Sequence, residues 1–247
     1  MKTYKKESDF SYTTGAFASI EMIKTRPQQA QTIIVHSAYK DSEGLFALCQ
    51  EKSIPIRQDD RLFKRLNQKE NTYVLGLFSK YACRLSADAA HVVLVNPSDM
   101  GNLGTNIRTL AGFNFTNLAI ITPAADHWHP KTIRASMGAL FRIEIELFPS
   151  FEDYRERFDK HKIYPFMLDG EMLLTDNCPR GELYSLVFGN EATGLPESFN
   201  NHIGTSIRLP QSEMVDSLNL SVALGIATFL FASANGQIET APLHGAF

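Results

Sequence analysis

The chain has 247 residues, with 24 Lys and Arg against 27 Asp and Glu, and 44% of its residues are hydrophobic. This composition argues against a disordered, collagen-like or disulfide-based protein. No apolar run reaches the roughly 18 residues that span a bilayer, and the first residues lack the apolar stretch of a secretory signal. The three cysteines are far apart and odd in number, as expected for free thiols. We therefore expect a cytoplasmic protein without a membrane segment.

Charge is distributed unevenly along the chain. Residues 1–90 carry 14 Lys and Arg and 10 Asp and Glu, whereas residues 91–247 carry 10 and 17. In a helix predicted over 59–67, Arg61, Lys64 and Arg65 fall on one side at i, i+3, i+4 spacing. Such a face can bind a polyanion through its phosphates, but a solvated helix surface explains it equally well. An excess of four positive charges does not by itself identify nucleic acid as the partner.

The first third of the chain alternates between helix and strand patterns. Apolar spacing predicts helices over 12–26, 42–52 and 59–67, and strands over 32–36, 54–56 and 73–78. The pattern loosens around residues 80–90, where small and polar residues predominate. We therefore predict a small α/β domain over residues 1–87.

A continuous apolar strand, HVVLVN at 91–96, opens the second part. Such runs are typical of parallel sheets, whose strands are covered on both faces. Further strands are predicted over 117–122, 143–147, 163–168 and 184–188, and helices from about 100 to 113, 131–138, 150–160 and 217–234. Glu144 and Glu146 indicate that 143–147 is an edge strand. The last helix is apolar nearly all round, which predicts burial against the sheet or a partner subunit. These elements predict a second, parallel-sheet domain over residues 88–247.

The first segment that suggests chemistry covers residues 96–114, NPSDMGNLGTNIRTLAGFN. A strand ends, a glycine-containing turn follows, and a helix begins whose buried face is Leu103, Ile107 and Leu110. The glycines permit close backbone approach, and the amides at the helix start favour an anionic group. Arg108 lies off the apolar face, where a guanidinium suits a phosphate or carboxylate. An ordinary surface arginine is an equal alternative.

Two later segments also place polar residues after a strand. Residues 186–197, LVFGNEATGLPE, put Glu191 directly after a buried strand, at the edge where open α/β sheets bind ligands. A carboxylate there needs a partner, although a helix cap or loop carboxylate is an equal alternative. Residues 207–224, IRLPQSEMVDSLNLSVAL, offer Ser217 or Asp216 as the cap of the last helix. Asn219 would then need a hydrogen-bond partner of its own if buried.

In this order and at these separations, the three segments resemble the three motifs of the SpoU/TrmH family of RNA 2′-O-ribose methyltransferases. The matching patterns are GN-x-G-x-x-x-R, FGNE-x-x-G and LP-x(6)-SLN-x-S. Residues 134–139, RASMGA, are similar to the family's SxGA segment. Residues 12–80 resemble, more faintly, the small ribosomal-protein-like substrate-binding domain that often precedes this catalytic domain.

The resemblance implies a parallel α/β catalytic domain with a deep C-terminal trefoil knot, a feature that physical reasoning would not propose from sequence. It also implies that S-adenosylmethionine binds in the knotted loops and that the protein is a homodimer with active sites near the subunit interface. The family's functional residues correspond to Asn102, Arg108, Glu191, Ser217 and Asn219. The donor pocket would be lined by Val187, Phe188, Gly189, Ile207, Leu209, Ser217 and Leu218.

The implied reaction moves a sulfonium methyl group to a ribose 2′-hydroxyl, so alignment of the two groups is the main requirement. We expect Arg108 to hold the adjacent phosphate and the developing alkoxide, because an arginine acts as a base only in a strongly perturbed site. Glu191 and Asn102 are expected to organise the loops, and Ser217 and Asn219 to fix the third one. By family analogy, the additional N-terminal domain favours 23S ribosomal RNA over transfer RNA.

Two other functions stay open at this point. One is a non-catalytic RNA-binding protein on the same fold, and the other is an enzyme acting on a small nucleotide. The sequence contains no P-loop, no GxGxxG and no GxSxG motif, which argues against common nucleotide-binding and hydrolase sites. His127 and His129 lack the acidic or cysteine partners of a metal site, so no metal is expected.

Overall fold

The computed structural model describes residues 4–65, 72–175, 178–181, 183–201 and 203–238. The chain forms two compact units, each made of several stretches. Unit 1 comprises Met1–Cys83, Asp99–Arg108 and Ala125–Glu144, and unit 2 comprises Arg84–Ser98, Thr109–Ala124 and Ile145–Phe247. Two stretches that follow residue 88 in sequence therefore belong to the same unit as the N-terminal residues.

A four-stranded sheet organises unit 1. Its strands are β1 (Phe10–Thr14), β2 (Ala30–Val35), β3 (Ile56–Gln58) and β4 (Val74–Ser79), in the order β1-β4-β2-β3. β4 is antiparallel to β1 and β2, and β2 is parallel to β3. The helices between them are α1 (Ala16–Thr25), α2 (Leu45–Glu51) and α3 (Asp60–Arg65). The alternation of helices and strands predicted for this part is confirmed.

The helix predicted over residues 12–26 is wrong at its beginning, because the chain forms β1 before α1 starts at Ala16. Ser11 and Thr13 are fully buried in β1. The Ser11 hydroxyl donates to the Trp128 carbonyl at 2.6 Å, and Thr13 Oγ1 accepts from the Gly76 N–H at 2.9 Å. Both buried side chains are polar and have hydrogen-bond partners inside the unit. The strand therefore lacks the alternation of apolar and polar residues by which a strand is predicted from sequence.

The basic helix predicted from residue spacing is α3. Leu62 and Phe63 are buried, whereas Arg61, Lys64 and Arg65 are exposed. The one-sided basic face is therefore confirmed. Residues 66 and 67, the predicted end of this helix, lie outside the described residues.

A five-stranded sheet with the order β7-β6-β5-β10-β8 organises unit 2. β5 is parallel to β6 and to β10, and β10 is parallel to β8. Every residue of β5, β6 and β10 is buried, so the continuous apolar strands predicted there are confirmed, and β7 is the edge strand that its glutamates indicated. From residue 91 onward the elements are β5 (His91–Val95), α4 (Met100–Gly112), β6 (Asn117–Ile121), α5 (Pro130–Ala135), β7 (Glu144–Phe148), α6 (Phe151–Arg157), β8 (Lys162–Pro165), β9 (Met172–Leu173), β10 (Tyr184–Phe188), α7 (Ser198–Asn201), β11 (Ile207–Arg208) and α8 (Leu220–Ala234).

The last helix, α8, begins at Leu220, three residues later than predicted. Its buried side includes Phe231, whose ring contacts those of Tyr164 and Tyr184 in unit 2. Burial all round is not observed within this chain, because three large apolar side chains are between 40% and 50% exposed: Val222, Ile226 and Phe229. Within the described ranges, no helix has both the length and the apolar character needed to cross a membrane.

Buried polar groups are linked by hydrogen bonds in the core of unit 2. His91 Nε2 donates to the Ser86 carbonyl at 2.7 Å, and His91 Nδ1 lies 2.8 Å from the Tyr154 hydroxyl. That hydroxyl lies 2.6 Å from Ser185 Oγ, which lies 2.9 Å from His161 Nδ1. Burial lowers the pKa of His91 to about 4, because the imidazolium form would lose its hydration. The core therefore accommodates the neutral imidazole.

We expect the free energy of unfolding to fall as the pH drops from 6.5 to about 4, because in this range His91 takes up a proton in the unfolded chain but not in the folded one. The full loss is on the order of 3 kcal/mol. Urea unfolding at closely spaced pH values measures it. His91→Gln is the control and should lose less stability over the same range. Equal losses in both proteins would contradict this assignment.

Candidate active site

The turn between β5 and α4 is closed by a carboxylate of the chain itself. Asp99 Oδ1 accepts from the Asn102 backbone N–H at 2.7 Å, and the Asp99 carbonyl accepts from the Leu103 N–H at 2.9 Å. The hydrogen bond from the Asn102 backbone is the main cause that lowers the pKa of Asp99. The start of α4 was predicted to favour an anionic group, and the carboxylate of Asp99 is such a group at this position.

α4 presents Arg108 to solvent. Leu103, Ile107 and Leu110 are fully buried, as predicted, whereas Arg108 is exposed and Asn102 is half-buried. Among the described residues, the Arg108 side chain has no hydrogen-bond or ion-pair partner. Its guanidinium is therefore available to a ligand.

Close backbone packing joins α4 to α5 within unit 1. A Cβ built on Gly104 would lie 2.5 Å from the Thr132 carbonyl oxygen and 3.0 Å from the Ser136 nitrogen. Only glycine fits such an approach, so this motif glycine serves helix packing rather than ligand access. Arg108 lies one turn after Gly104 on α4. The start of the SxGA-like segment therefore packs against α4 one turn before Arg108.

The loop after β10 is folded tightly upon itself. A Cβ on Gly189 would lie 2.1 Å from the carbonyl carbon of Gly194. The Asn190 N–H donates to the Gly194 carbonyl at 3.2 Å, and the Gly194 N–H donates back at 2.9 Å. Asn190 Nδ2 donates to the Asn96 carbonyl at 2.7 Å and so connects this loop to the end of β5. Asn190 was not predicted as a site residue, although its place in the second motif was an available signal.

Glu191 connects the same loop to the turn after β5. Its Oε2 accepts from the Ser98 backbone N–H at 2.9 Å and from the Ser98 hydroxyl at 2.8 Å. Ser98 is therefore a partner of the kind that a carboxylate after a buried strand needs. This geometry favours a positioning role for Glu191.

The third segment supplies a short strand, an exposed loop and a helix cap. β11 pairs with β9 in parallel, and the Ile207 carbonyl accepts from the Met167 N–H at 2.9 Å. Asn219 caps α8, since its Oδ1 accepts from the Ser221 N–H at 2.8 Å. The prediction that Ser217 or Asp216 is the cap is wrong, because the helix begins at Leu220.

A cavity of about 360 Å³ within unit 2 is lined by the second and third segments and by residues 166–169. Part of its wall is a stacked pair of rings, Phe166 and Phe188, with centroids 4.5 Å apart and planes inclined by 10°. Val187 was expected to line the pocket, but it belongs to the buried core, since side chains alternate between the faces of β10. The other residues expected to contact the donor line the cavity: Phe188, Gly189, Ile207, Leu209, Ser217 and Leu218.

The cavity residues that follow β8 were not predicted from the sequence. Met167, Leu168 and Asp169 line the cavity, and their position after a buried strand was the only available signal. The residues expected to be catalytic are divided between the units, with Asn102 and Arg108 in unit 1 and the other three in unit 2: Glu191, Ser217 and Asn219. In the part of the chain that the structure describes, no cluster of three or more His, Cys, Asp or Glu residues could hold a metal ion.

Residues 89–229, more than half of the chain, match the model of the SpoU rRNA methylase family. The chain belongs to the SpoU rRNA methylase family. The matched range contains all three loop segments and the residues that line the cavity. Family membership therefore rests on the part of the chain that builds this site.

Other proteins resemble this SpoU-family chain over different lengths. It is 26% identical to a 23S rRNA (adenosine(1067)-2′-O)-methyltransferase of Streptomyces azureus over 74% of this chain and 71% of that protein. It is 33% identical to a candidate tRNA (cytidine(34)-2′-O)-methyltransferase of Bacillus subtilis over 57% of this chain and 90% of that protein. The chain spans only 28% and 58% of the lengths of two further curated relatives.

The fold is also found in solved structures. The AdoMet-bound rRNA methyltransferase from Sinorhizobium meliloti superposes with a TM-score of 0.77, over 92% of this chain and 88% of that one, at 23% identity. The superposition includes chain outside residues 89–229, so the likeness extends beyond the range that defines the SpoU rRNA methylase family.

We expect Asn219→Ala to lower the free energy of unfolding by about 1 kcal/mol, because the first turn of α8 loses its side-chain cap. Denaturant unfolding measures the change. Asn219→Asp keeps an acceptor oxygen at the same position, so this matched variant should retain most of the stability. A loss of the same size in both variants would show that the cap is not the cause.

Proposed function

We propose that this protein transfers a methyl group from S-adenosylmethionine to a ribose 2′-hydroxyl in structured RNA, with 23S ribosomal RNA favoured, and that it acts in the cytoplasm. The observation that carries the proposal is the cavity built by the second and third motif loops of a SpoU-family chain. A catalytically inactive RNA-binding protein would not need a formed donor cavity of this kind.

The residues around the cavity fit this methyl donor. Its volume lies within the range of small-molecule sites. The stacked rings of Phe166 and Phe188 form a flat apolar wall that suits a purine. Asp169, Glu191 and Arg208 line the same cavity, so its lining has one negative charge in excess, which suits a positively charged sulfonium compound. The donor would be held by Phe188, Gly189, Ile207, Leu209, Ser217 and Leu218.

When bound, the donor supplies an electrophilic methyl group, so this chain's own residues mainly need to align and stabilise. Arg108 is assigned to hold the phosphate next to the target ribose and the negative charge that develops on its 2′-oxygen. Asn102 keeps the first loop in place through its backbone N–H. Glu191 keeps the second loop in place through its side chain. Asn219 fixes the third loop by capping α8, and Ser217 faces the cavity from that loop.

We assign RNA binding to residues 1–87 and methyl transfer to residues 88–247, with a trefoil knot near the C-terminus. The exposed basic face of α3 supports the first assignment. Two glycines support a close passage of the C-terminal loops: a Cβ on Gly170 would lie 2.5 Å from the Ile207 carbonyl carbon, and one on Gly204 would lie 1.9 Å from the Ile163 carbonyl oxygen.

Ribosomal RNA is favoured over transfer RNA by the extent of the alignments. One relative named for 23S rRNA aligns with 74% of this chain and another with 58%, whereas a relative named for tRNA aligns with 57%. The alignment over 74% of this chain therefore includes residues that the tRNA relative's alignment leaves out. Transfer RNA is the alternative substrate.

The test is to map 2′-O-methylated riboses in ribosomal and transfer RNA from cells that lack the protein and express either the wild type or Arg108→Ala. We expect the wild type to restore one methylation in 23S rRNA, and Arg108→Ala to reduce methyl transfer by about a hundredfold or more. Calorimetry should give both proteins a similar affinity for S-adenosylmethionine. Identical methylation maps with and without the protein would refute the function, and an active Arg108→Ala would refute the role of that residue.

We further assign a homodimer to the exposed apolar face of α8. Val222, Ile226 and Phe229 lie at i, i+4 and i+7 and therefore share one side of the helix. We expect Ile226→Asp to convert a dimer into a monomer in sedimentation experiments, since a buried unpaired charge is costly. Leu147→Asp, which changes another exposed apolar residue of unit 2, is the matched control. A wild-type monomer would contradict the assignment.

A further inference from the structure

Two large apolar side chains of unit 1 are exposed and are not among the residues that line the cavity of unit 2. Phe17, in the first turn of α1, is 56% exposed, and Met137, just after α5, is 44% exposed. Single exposed apolar residues are common on protein surfaces. Phe17 and Met137 differ from such residues because the backbone next to Met137 packs on α1 and holds Met137 in an unfavourable conformation.

Gly138 packs the backbone next to Met137 against the turn of α1 that carries Phe17. A Cβ on Gly138 would lie 3.2 Å from Ala18 Cα and 2.8 Å from Glu21 Cβ, so the residue after Met137 contacts the backbone of α1 next to Phe17. The guanidinium of Arg142 pairs with Glu21, with Nε 2.6 Å from Oε2. The segment is therefore held against α1 at Gly138 and again at Arg142.

The backbone holds Met137 in an unfavourable conformation. Its φ is +52°, in the left-handed region that residues with a Cβ seldom adopt, and Gly138 follows with φ +83°. The packing of Gly138 on α1 leaves this turn little freedom to relax. An exposed side chain held under backbone strain is a feature that clusters at functional sites.

Two exposed arginines lie on α4 and α5, the helices that pack together at Gly104. The Gly104 contact sets residues 132 and 136 against α4, one turn before Arg108. Arg134, in the last turn of α5, is exposed like Arg108, and neither guanidinium has a hydrogen-bond or ion-pair partner among the residues described. The surface thus combines an aromatic ring and a thioether with two available cations.

We propose that Phe17 and Met137 form a stacking platform for an unpaired base of the RNA substrate, while Arg108 and Arg134 hold the phosphates on either side. The proposal rests on the proposed function and adds the form of RNA that is recognised. Unpaired bases stack on aromatic side chains, whereas bases inside a duplex are already stacked on each other. The platform therefore selects a loop or bulge rather than a continuous helix.

The test measures binding of a single-stranded RNA oligonucleotide containing 2-aminopurine, whose fluorescence reports stacking. We expect Phe17→Ala to weaken binding by about tenfold and to reduce the fluorescence change, because a base loses its aromatic partner. Phe17→Trp should restore both. Phe46→Ala is the matched control, since Phe46 is a 41% exposed phenylalanine on α2 of the same unit. Calorimetry should show unchanged affinity for S-adenosylmethionine in all three variants.

Met137→Gly separates binding from folding. Glycine accepts the positive φ at this position, so we expect a melting temperature no lower than that of the wild type, together with weaker binding of the oligonucleotide. A variant that binds like the wild type would overturn the role of Met137.

Each remaining result supports or overturns the platform. Equal behaviour of Phe17→Ala and Phe46→Ala, or no binding by the wild type, would overturn it. A changed sedimentation coefficient in Phe17→Ala with unchanged RNA affinity would also overturn it and assign the surface to a second copy of the chain. If Phe17 governs base stacking but the wild type methylates no RNA, the platform stands and the proposed function fails.

Discussion

Glu191 and Asn190 fix the second motif loop, which lines the cavity of unit 2, to the end of β5. Glu191 accepts two hydrogen bonds from Ser98, and Asn190 donates to the Asn96 carbonyl, over sequence separations of 93 and 94 residues. Hydrogen bonds to an ionised carboxylate are stronger than those between neutral groups. β5 and β10 are neighbouring parallel strands, so their carboxyl ends bring these residues to the same edge of the sheet. The position of the second motif loop therefore depends on polar contacts that only the completed sheet can assemble.

The buried strands of unit 2 could be predicted because they obey a strong constraint. A central parallel strand is covered on both faces and needs apolar residues throughout, so β10 has the bounds that the sequence predicted, and β5 ends one residue early. β1 obeys a weaker constraint. Its inner residues Ser11 and Thr13 are satisfied by partners that are distant in sequence, Trp128 and Gly76. No local pattern contains that information.

The sequence was sufficient to predict which segments form the candidate site, but not which contacts their individual residues make. The apolar face of α4 and the exposure of Arg108 follow from helical periodicity alone. The helix caps do not, because Asp216, Ser217 and Asn219 are all suitable residue types within four positions. Which of them caps α8 depends on where the loop from β11 delivers the chain. Val187 was misplaced for a related reason, since membership of a motif does not state which face of a strand a side chain occupies.

The two units differ in charge more than the two parts of the sequence do. Unit 1 contains 17 Lys and Arg and 12 Asp and Glu, whereas unit 2 contains 7 and 15. Arg108, Arg134 and Arg142 contribute to this difference, because they lie beyond residue 90 and yet belong to unit 1. A polyanion is attracted to the first unit and repelled by the second, and a sulfonium compound has the opposite preference. Charges are screened over about 10 Å, so each ligand responds to the charge of the unit it meets rather than to the net charge of the whole chain. A chain with a net charge of −3 can therefore bind both RNA and a cationic donor.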